Sequence, residues 1–385
     1  MVTIAGSGMG EYNFNNIDID FTKYDTIFCD KNYESNFPNV KKAGFKEIKE
    51  SILENLDKNI LYVVSGSPLF FSGASIILAT LKKKNIKFKV TDNTSSLNYL
   101  LAHNGVSLMQ TNTISLHGKS KIDLDKFLIL PYTFVVCDDK TPKYLADATR
   151  YLNEDDISII LGERFGYIDE EFRDITIQEM IENPPKMPYS LLIKRNFEAL
   201  PTISSEDTIE HENGMITKEY KRHISLQNLN LSPNILMWDI GAGSGSVSID
   251  GYKRYKIKTI LFEKNIKRAK MIERSLNNHK VIDSKLYIGE ASEDYKKETS
   301  IPERIFIGGG GEKVISELDY LYDRLADGGI MVANFVTLVH LTTAINVLKN
   351  ANIEFDIKSI SLTTYKLNLL LPEPERVMHQ IIIKK

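Results

Sequence analysis

Short apolar runs recur along this chain, separated by stretches in which apolar residues return every three or four positions. Residues 2–5, 26–29, 60–64 and 87–91 read as strands. Residues 45–55 read as a helix with Ile48, Ile52 and Leu53 on one face. Residues 73–84 read as a second helix, closed by a lysine run that suits a helix C-terminus. The alternation continues to a strand at 191–194. It restarts with a helix at 217–226 and strands at 235–240, 259–263, 285–288, 304–307 and 330–334. Residues 353–361 and 380–384 supply a closing pair. Strands that alternate with helical intervals predict an α/β architecture, with helices covering both faces of mostly parallel sheets.

At 385 residues the chain exceeds the usual size of one hydrophobic core, so two domains are expected. Residues 197–207 contain Pro201, Ser204 and Ser205, lack periodicity and read as the linker. The domains are placed at 1–198 and 205–385. Asn183-Pro184-Pro185-Lys186 reads as a turn. A net charge of −3 gives no nucleic-acid footprint. The two cysteines, Cys29 and Cys137, form neither a disulfide framework nor a metal motif, and no metal is expected. The start has no basic leader, and no apolar run reaches membrane-spanning length, so the cytoplasm is the expected compartment.

The densest chemical signal is Trp238-Asp239-Ile240-Gly241-Ala242-Gly243-Ser244-Gly245, a buried strand turning through glycines into a helix. Glycines remove the Cβ atoms that would hold a ligand off the main chain, and the helix start offers free N–H groups. The third glycine comes one residue too early for a dinucleotide fingerprint. Asp239 lies two residues before the first glycine, which suits a ligand carrying an ammonium and a sulfonium. Glu263 ends the next strand, where a carboxylate can accept two ribose hydroxyls. Gly289-Glu290-Ala291 ends the third strand, where an adenine edge would be read. Gly308, Gly309, Gly310 and Gly311 end the fourth, either as a flexible loop or as backbone that lets a substrate approach.

The glycine loop and its acid resemble motif I of the Rossmann-like (class I) S-adenosylmethionine (SAM) methyltransferases. The run GMITKE (214–219), WDIGAGSGSVSI (238–249), FEKN (262–265), GEA (289–291) and FIGGGGE (306–312) resembles the precorrin C15-methyltransferase and C12-decarboxylase domains of cobalamin biosynthesis. That resemblance implies SAM contacts from Thr217, Gly241, Ala242, Gly243, Ser244, Gly245, Glu263 and Ala291. Asp250 stands where that family usually carries Glu, and the family's Asn-Pro-Val near the C-terminus is not evident.

In the first half, Gly6-Ser7-Gly8-Met9-Gly10, Ser65-Gly66-Ser67-Pro68, Ser95-Ser96, Ser115-Leu116-His117-Gly118-Lys119, Thr141-Pro142 and residues 162–170 resemble the tetrapyrrole methylases (the class III SAM methyltransferase fold). Within that family they are most similar to the precorrin C5-methyltransferases. The resemblance implies a second SAM site built from Gly6, Gly8, Gly66, Ser67, Ser95 and Ser96. Met9 and Ser67 stand where the family usually has Pro and Asp.

Together the halves resemble fused, bifunctional methyltransferases that act on C5 and C15 of a tetrapyrrole and decarboxylate its ring C acetate. The resemblance implies one SAM per domain, a small-molecule tetrapyrrole partner and a homo-oligomer. His117 is either a structural histidine or a base. Lys119, Arg164, Lys218, Lys221 and Arg222 either pair with substrate carboxylates or are ordinary solvated charges. Two other readings are carried alongside: an RNA or protein methyltransferase, and a SAM-binding regulator with a degenerate first half.

Overall fold

The computed structural model describes every residue except 12, 13, 15, 16, 32, 34–36, 120 and 367–369. The chain divides into two compact units. One holds residues 1–121, 126–143 and 158–196; the other holds 122–125, 144–157 and 197–385.

The first unit contains two five-stranded sheets. The first is β1 (Val2–Gly6), β2 (Thr26–Asp30), β3 (Val40–Ala43), β4 (Ile60–Val64) and β5 (Phe88–Thr91), in spatial order β3-β2-β4-β1-β5 and all parallel. Every residue of β1 and β4 is buried, as a parallel sheet covered on both faces requires. Helices α1 (Phe45–Glu54) and α2 (Ala74–Lys83) supply Ile48, Ile52, Ile77 and Leu81 to one of its cores. Helix α3 (Ser96–His103) follows β5. The second sheet runs β6 (Thr111–Ser115), β7 (Tyr132–Val136), β10 (Tyr189–Arg195), β8 (Ile157–Glu163), β9 (Glu171–Asp174) in spatial order. Helices α4 (Thr141–Ala148) and α5 (Ile177–Glu182) lie between its strands in sequence. Residues 183–186, expected as a turn, form the connection from α5 to β10.

The second unit is built on a seven-stranded sheet. Its strands are β11 (Leu236–Ile240), β12 (Lys258–Glu263), β13 (Ser284–Ile288), β14 (Arg304–Ile307), β15 (Ile330–Phe335), β16 (Asp356–Ile360) and β19 (Met378–Lys384). A separate hairpin, β17 (Thr363–Lys366) with β18 (Leu371–Pro374), precedes the last strand. Spatial order is β13-β12-β11-β14-β15-β19-β16, the first five parallel and β19 antiparallel to both neighbours. Helices α6 (Glu219–Leu229) and α7 (Ser246–Tyr255) precede and follow β11, and α8 (Ile266–Asn278) follows β12. Then come α9 (Ala291–Lys297), α10 (Gly311–Ser316), α11 (Leu318–Arg324) and α12 (Leu338–Asn350). Trp238, Phe262 and Tyr295 are fully buried in the larger core, with contributions from α9 to α12. Burying each such ring stabilises the sheet by roughly 2–3 kcal/mol.

Strand order reverses between β11 and β14. Open α/β sheets bind ligands in the crevice at the carboxyl ends of their strands at such a switch point.

The linker expectation needs correction at its C-terminal end. Residues 198–203 are exposed, but Ser204 is buried and held on three sides. Its N–H donates to Asp250 Oδ1 at 3.1 Å, its carbonyl accepts from Arg222 at 2.6 Å, and its Oγ accepts from Lys253 at 2.8 Å.

Candidate active site

At the switch point the ends of β11, β12 and β14 are tied together by main chain. The Gly241 and Ala242 N–H groups both donate to the Phe262 carbonyl, at 3.0 and 3.1 Å, and the Gly308 N–H donates to Ile240 O at 3.0 Å. Gly241 has a φ of 68°, a conformation that costs any other residue energy. A Cβ at this position would also stand 2.6 Å from the Gly309 carbonyl carbon and 2.8 Å from the Gly310 nitrogen. The two glycine loops need each other's missing side chains to approach.

A cavity of about 720 Å³ opens here, within the range of small-molecule sites (about 300–1,000 Å³). Gly241, Ala242, Gly243 and Ser244 line it from the β11 loop, Glu263 from the end of β12 and Ala291 from the start of α9. Gly308, Gly309 and Gly310 line it from the β14 loop, and Thr217 from the segment before α6. The structure thus gathers ten residues singled out in the second half of the sequence around one space.

Glu263 is buried, and its carboxylate organises the loop. Oε2 accepts the Gly243 N–H at 2.9 Å and Oε1 accepts the Asn265 N–H at 2.9 Å, with Arg268 at 3.5 Å. An ionised carboxylate has about four acceptor directions, so each oxygen keeps capacity for a further donor. The residues therefore fit a ligand that presents paired hydroxyls. Asp239 lies one layer deeper on β11, outside the cavity lining. Burial pushes its carboxyl up to about 6, against the lowering effect of the Ser248 hydroxyl at 2.6 Å and of the Ser248 amide. Its Oδ1 has no hydrogen-bond partner.

Two expected contacts are corrected. Gly245 opens α7 with a φ of 71° but faces the packing between α7 and α8, where an added Cβ would meet Ile272 and Leu261. It shapes the turn and does not line the cavity. Arg222, expected to meet substrate, is fully buried. Its Nε binds Asp250 Oδ2 at 2.8 Å, Nη1 binds the Thr217 carbonyl at 2.7 Å and Nη2 binds Ser204 O. This guanidinium holds the Thr217 segment in place and is closed to an external carboxylate.

Most cations around the cavity already have carboxylate partners. Lys218 pairs with Glu206, Lys221 with Glu375, Lys264 with Glu290 and Arg268 with Glu263. Arg376 lines the same space and has no carboxylate partner among the described residues. Glu375, Arg376, Met378 and Asn334 went unnoticed in the sequence. They come from β15 and the approach to β19, where the expected family motif is absent, and only the fold brings them to the glycine loops. The Pro-Glu-Pro-Glu-Arg run at 372–376 was the available signal that the chain turns there.

In the first unit the candidate residues also converge. The Gly8 N–H donates to Gly66 O at 3.1 Å and the Gly66 N–H returns to Gly8 O at 2.9 Å, so the loops after β1 and β4 are bridged directly. A Cβ on Gly6 would collide with the Gly66 carbonyl oxygen. Ser67, in the position where Asp was expected, donates its hydroxyl to Asp92 at 2.5 Å. A carboxylate is thus supplied from the end of β5 instead. Ser95 caps α3, accepting the Asn98 N–H at 3.2 Å, and Ser96 begins that helix.

His117 and Lys119 follow β6, which belongs to the other sheet of this unit. Both are exposed, and His117 Nδ1 lies 3.4 Å from the Cys137 carbonyl. Arg164 is held by Asp169 at 2.6 Å and stacks over Tyr167 at 4.3 Å.

The chain matches known families in both halves. Residues 21–181 match the tetrapyrrole (corrin/porphyrin) methylases, and residues 208–361 match the precorrin methyltransferase domain. A Sinorhizobium precorrin-6Y C(5,15)-methyltransferase [decarboxylating] is 25% identical over 288 residues, covering 72% of this chain and 68% of that protein. A probable cobalt-precorrin-6B C(15)-methyltransferase (decarboxylating) of Pyrobaculum aerophilum is 26% identical over 171 residues, 42% of this chain and 84% of its own. The crystal structure of a precorrin-6y C5,15-methyltransferase from Geobacter metallireducens GS-15 is 28% identical, with a TM-score of 0.47, and covers 49% of this chain and 100% of that one. With one family match in each half and a relative that spans both, the chain is a SAM-dependent, decarboxylating methyltransferase of cobalamin biosynthesis.

Proposed function

We propose that the second unit methylates C15 of a precorrin or cobalt-precorrin and removes CO2 from its ring C acetate, and that the first unit methylates C5. The carrying observation is the cavity at the switch point, walled by two mutually dependent glycine loops with Glu263 at its edge. SAM supplies an electrophilic methyl group on a sulfonium. Main chain of residues 241–244 would hold it, with Glu263 on the ribose hydroxyls, Ala291 beside the adenine and Thr217 closing the far side. Residues 308–310, lacking side chains, let a flat acceptor come near. The chain's own contribution is positioning and exclusion of water, since the acceptor is a conjugated carbon nucleophile and needs no activating side chain.

A second donor would be held in the first unit by Gly6, Gly8, Gly66, Ser67, Ser95 and Ser96, giving one SAM per unit. The partner is a small tetrapyrrole and not nucleic acid, a reading that the net charge of −3 supports. A cytoplasmic homo-oligomer is part of the same proposal. The two free, buried cysteines suit a reducing compartment.

Two full-length variants test the division of labour. Gly241→Val drives a side chain into Gly309, and Gly6→Val drives one into Gly66. Titration calorimetry should count two SAM sites in the wild type and one in each variant. With precorrin substrate, Gly241→Val should lose the C15 methyl and CO2 release, whereas Gly6→Val should lose only the C5 methyl. The reverse assignment of products would overturn the proposal.

A further inference from the structure

Decarboxylation requires a proton as well as a leaving group. When the bond to the carboxylate carbon breaks, CO2 departs and the electron pair enters the conjugated macrocycle. The exocyclic CH2 must then gain one proton to become a methyl group. Among the described residues that line the cavity, Lys221 is the least exposed lysine.

Lys221 lies on α6, lines the same cavity as Gly308–Gly310 and is 9% exposed. Its ammonium lies 2.7 Å from Glu375 Oε2 and donates to the Arg376 carbonyl at 2.8 Å. An ammonium has three N–H donors. The Arg376 carbonyl takes one, Glu375 holds the charge as an ion pair without an aligned hydrogen bond, and no further acceptor is present among the described residues. The other cavity-lining lysines, Lys218 and Lys264, are far more exposed, with 42% and 56% of their side chains open against 11% for Lys221.

Building on the proposed C15 chemistry, we infer that Lys221 is the proton donor that completes decarboxylation, held as an ammonium by Glu375 and the Arg376 carbonyl. The proton passes from Nζ to the exocyclic carbon as CO2 leaves, and the neutral amine regains a proton from solvent before the next turnover. No oxidant or reductant enters. Arg376, charged and without a carboxylate partner among the described residues, gives a neighbouring anchor for a substrate carboxylate.

Lys221 also ties the base of the β17–β18 hairpin to α6, so the test must separate donor from staple. Lys221→Arg keeps the charge and a donor for both contacts, but a guanidinium does not give up its proton. In the full-length enzyme, CO2 released per C15 methyl transferred should fall by on the order of a hundredfold. A methylated product that retains the ring C acetate should accumulate in mass spectra. An unchanged CO2-to-methyl ratio would overturn the inference. Lys221→Ala assayed with added ethylamine guards against misfolding of the first variant. Restored CO2 release supports the donor role, and a folded variant that loses both reactions in step and is not rescued refutes it. Absence of both products from the wild-type enzyme would instead sink the underlying assignment of C15 chemistry.

Discussion

Asp239 shows a residue kept against its own stability. The carboxyl is buried beneath the glycine loop with one oxygen unpartnered, and burial raises it to about 6 from 3.8. Between those values the folded state binds more protons than the unfolded one, so its contribution to stability falls as pH rises from about 4 to 6 and stays lost above that range. Asp239→Asn should therefore unfold later than wild type at pH 7.5, by up to about 3 kcal/mol, and lose that advantage near pH 4. Chemical denaturation at the two pH values measures this. The same variant should bind SAM more weakly, because strained polar groups persist mainly where a ligand uses them. Glycine and acid in motif I were legible in the sequence because strand, turn and ligand chemistry there lie within ten residues. The Lys221–Glu375 pair was not, because its partners meet only after the last strand has folded back beside β15.

At the scale of elements, the strands named from the sequence lie within about three residues of observed ones, since buried strands are continuous apolar runs, whereas β6 to β9 were covered only by the general alternation. The misses have physical causes. Strand β3 reads Val-Lys-Lys-Ala, an edge strand with both lysines exposed. The β17–β18 hairpin contains Pro372 and Pro374, which argue against a strand except at an edge. Helix α6 starts at Glu219, two residues later than expected, because Thr217 is held by Arg222 outside the helix. The buried Arg222–Asp250 pair explains the departure from the family's usual Glu. Asp250 reaches the guanidinium and the Ser204 N–H at once, in a space with no exposure. Restoring the family residue with Asp250→Glu should destabilise the second unit by about 1–3 kcal/mol through overpacking. Asp250→Ala, which strands a buried charge, should cost about 3–5 kcal/mol. Urea unfolding of the full-length protein reads both.

Across the whole molecule, each unit has its own sheets, and each gathers its glycines at strand ends. The way they do so differs. In the second unit the loops enclose a measurable space; in the first the loops after β1 and β4 spend main-chain donors on each other, and a carboxylate arrives from Asp92. Segment 144–157, which precedes the apparent linker by some distance in sequence, groups with the second unit. A hydrophobic pattern read along the chain has no means of revealing such an exchange, because periodicity reports local structure and not the company that structure keeps.

The pairing of cavity cations with carboxylates has a consequence for how an anionic guest arrives. A bare basic cleft attracts a polyanion through a long-range field that dissolved ions screen within about 10 Å at 0.1 M. Here a guest has to outcompete Glu206 and Glu290, and added salt weakens those resident pairs as much as the new ones. The Michaelis constant for the tetrapyrrole should then change less than about threefold between 50 and 300 mM potassium chloride, where an unneutralised cleft would lose affinity by orders of magnitude. Tolerance of varying ionic strength would thus be built into the walls themselves.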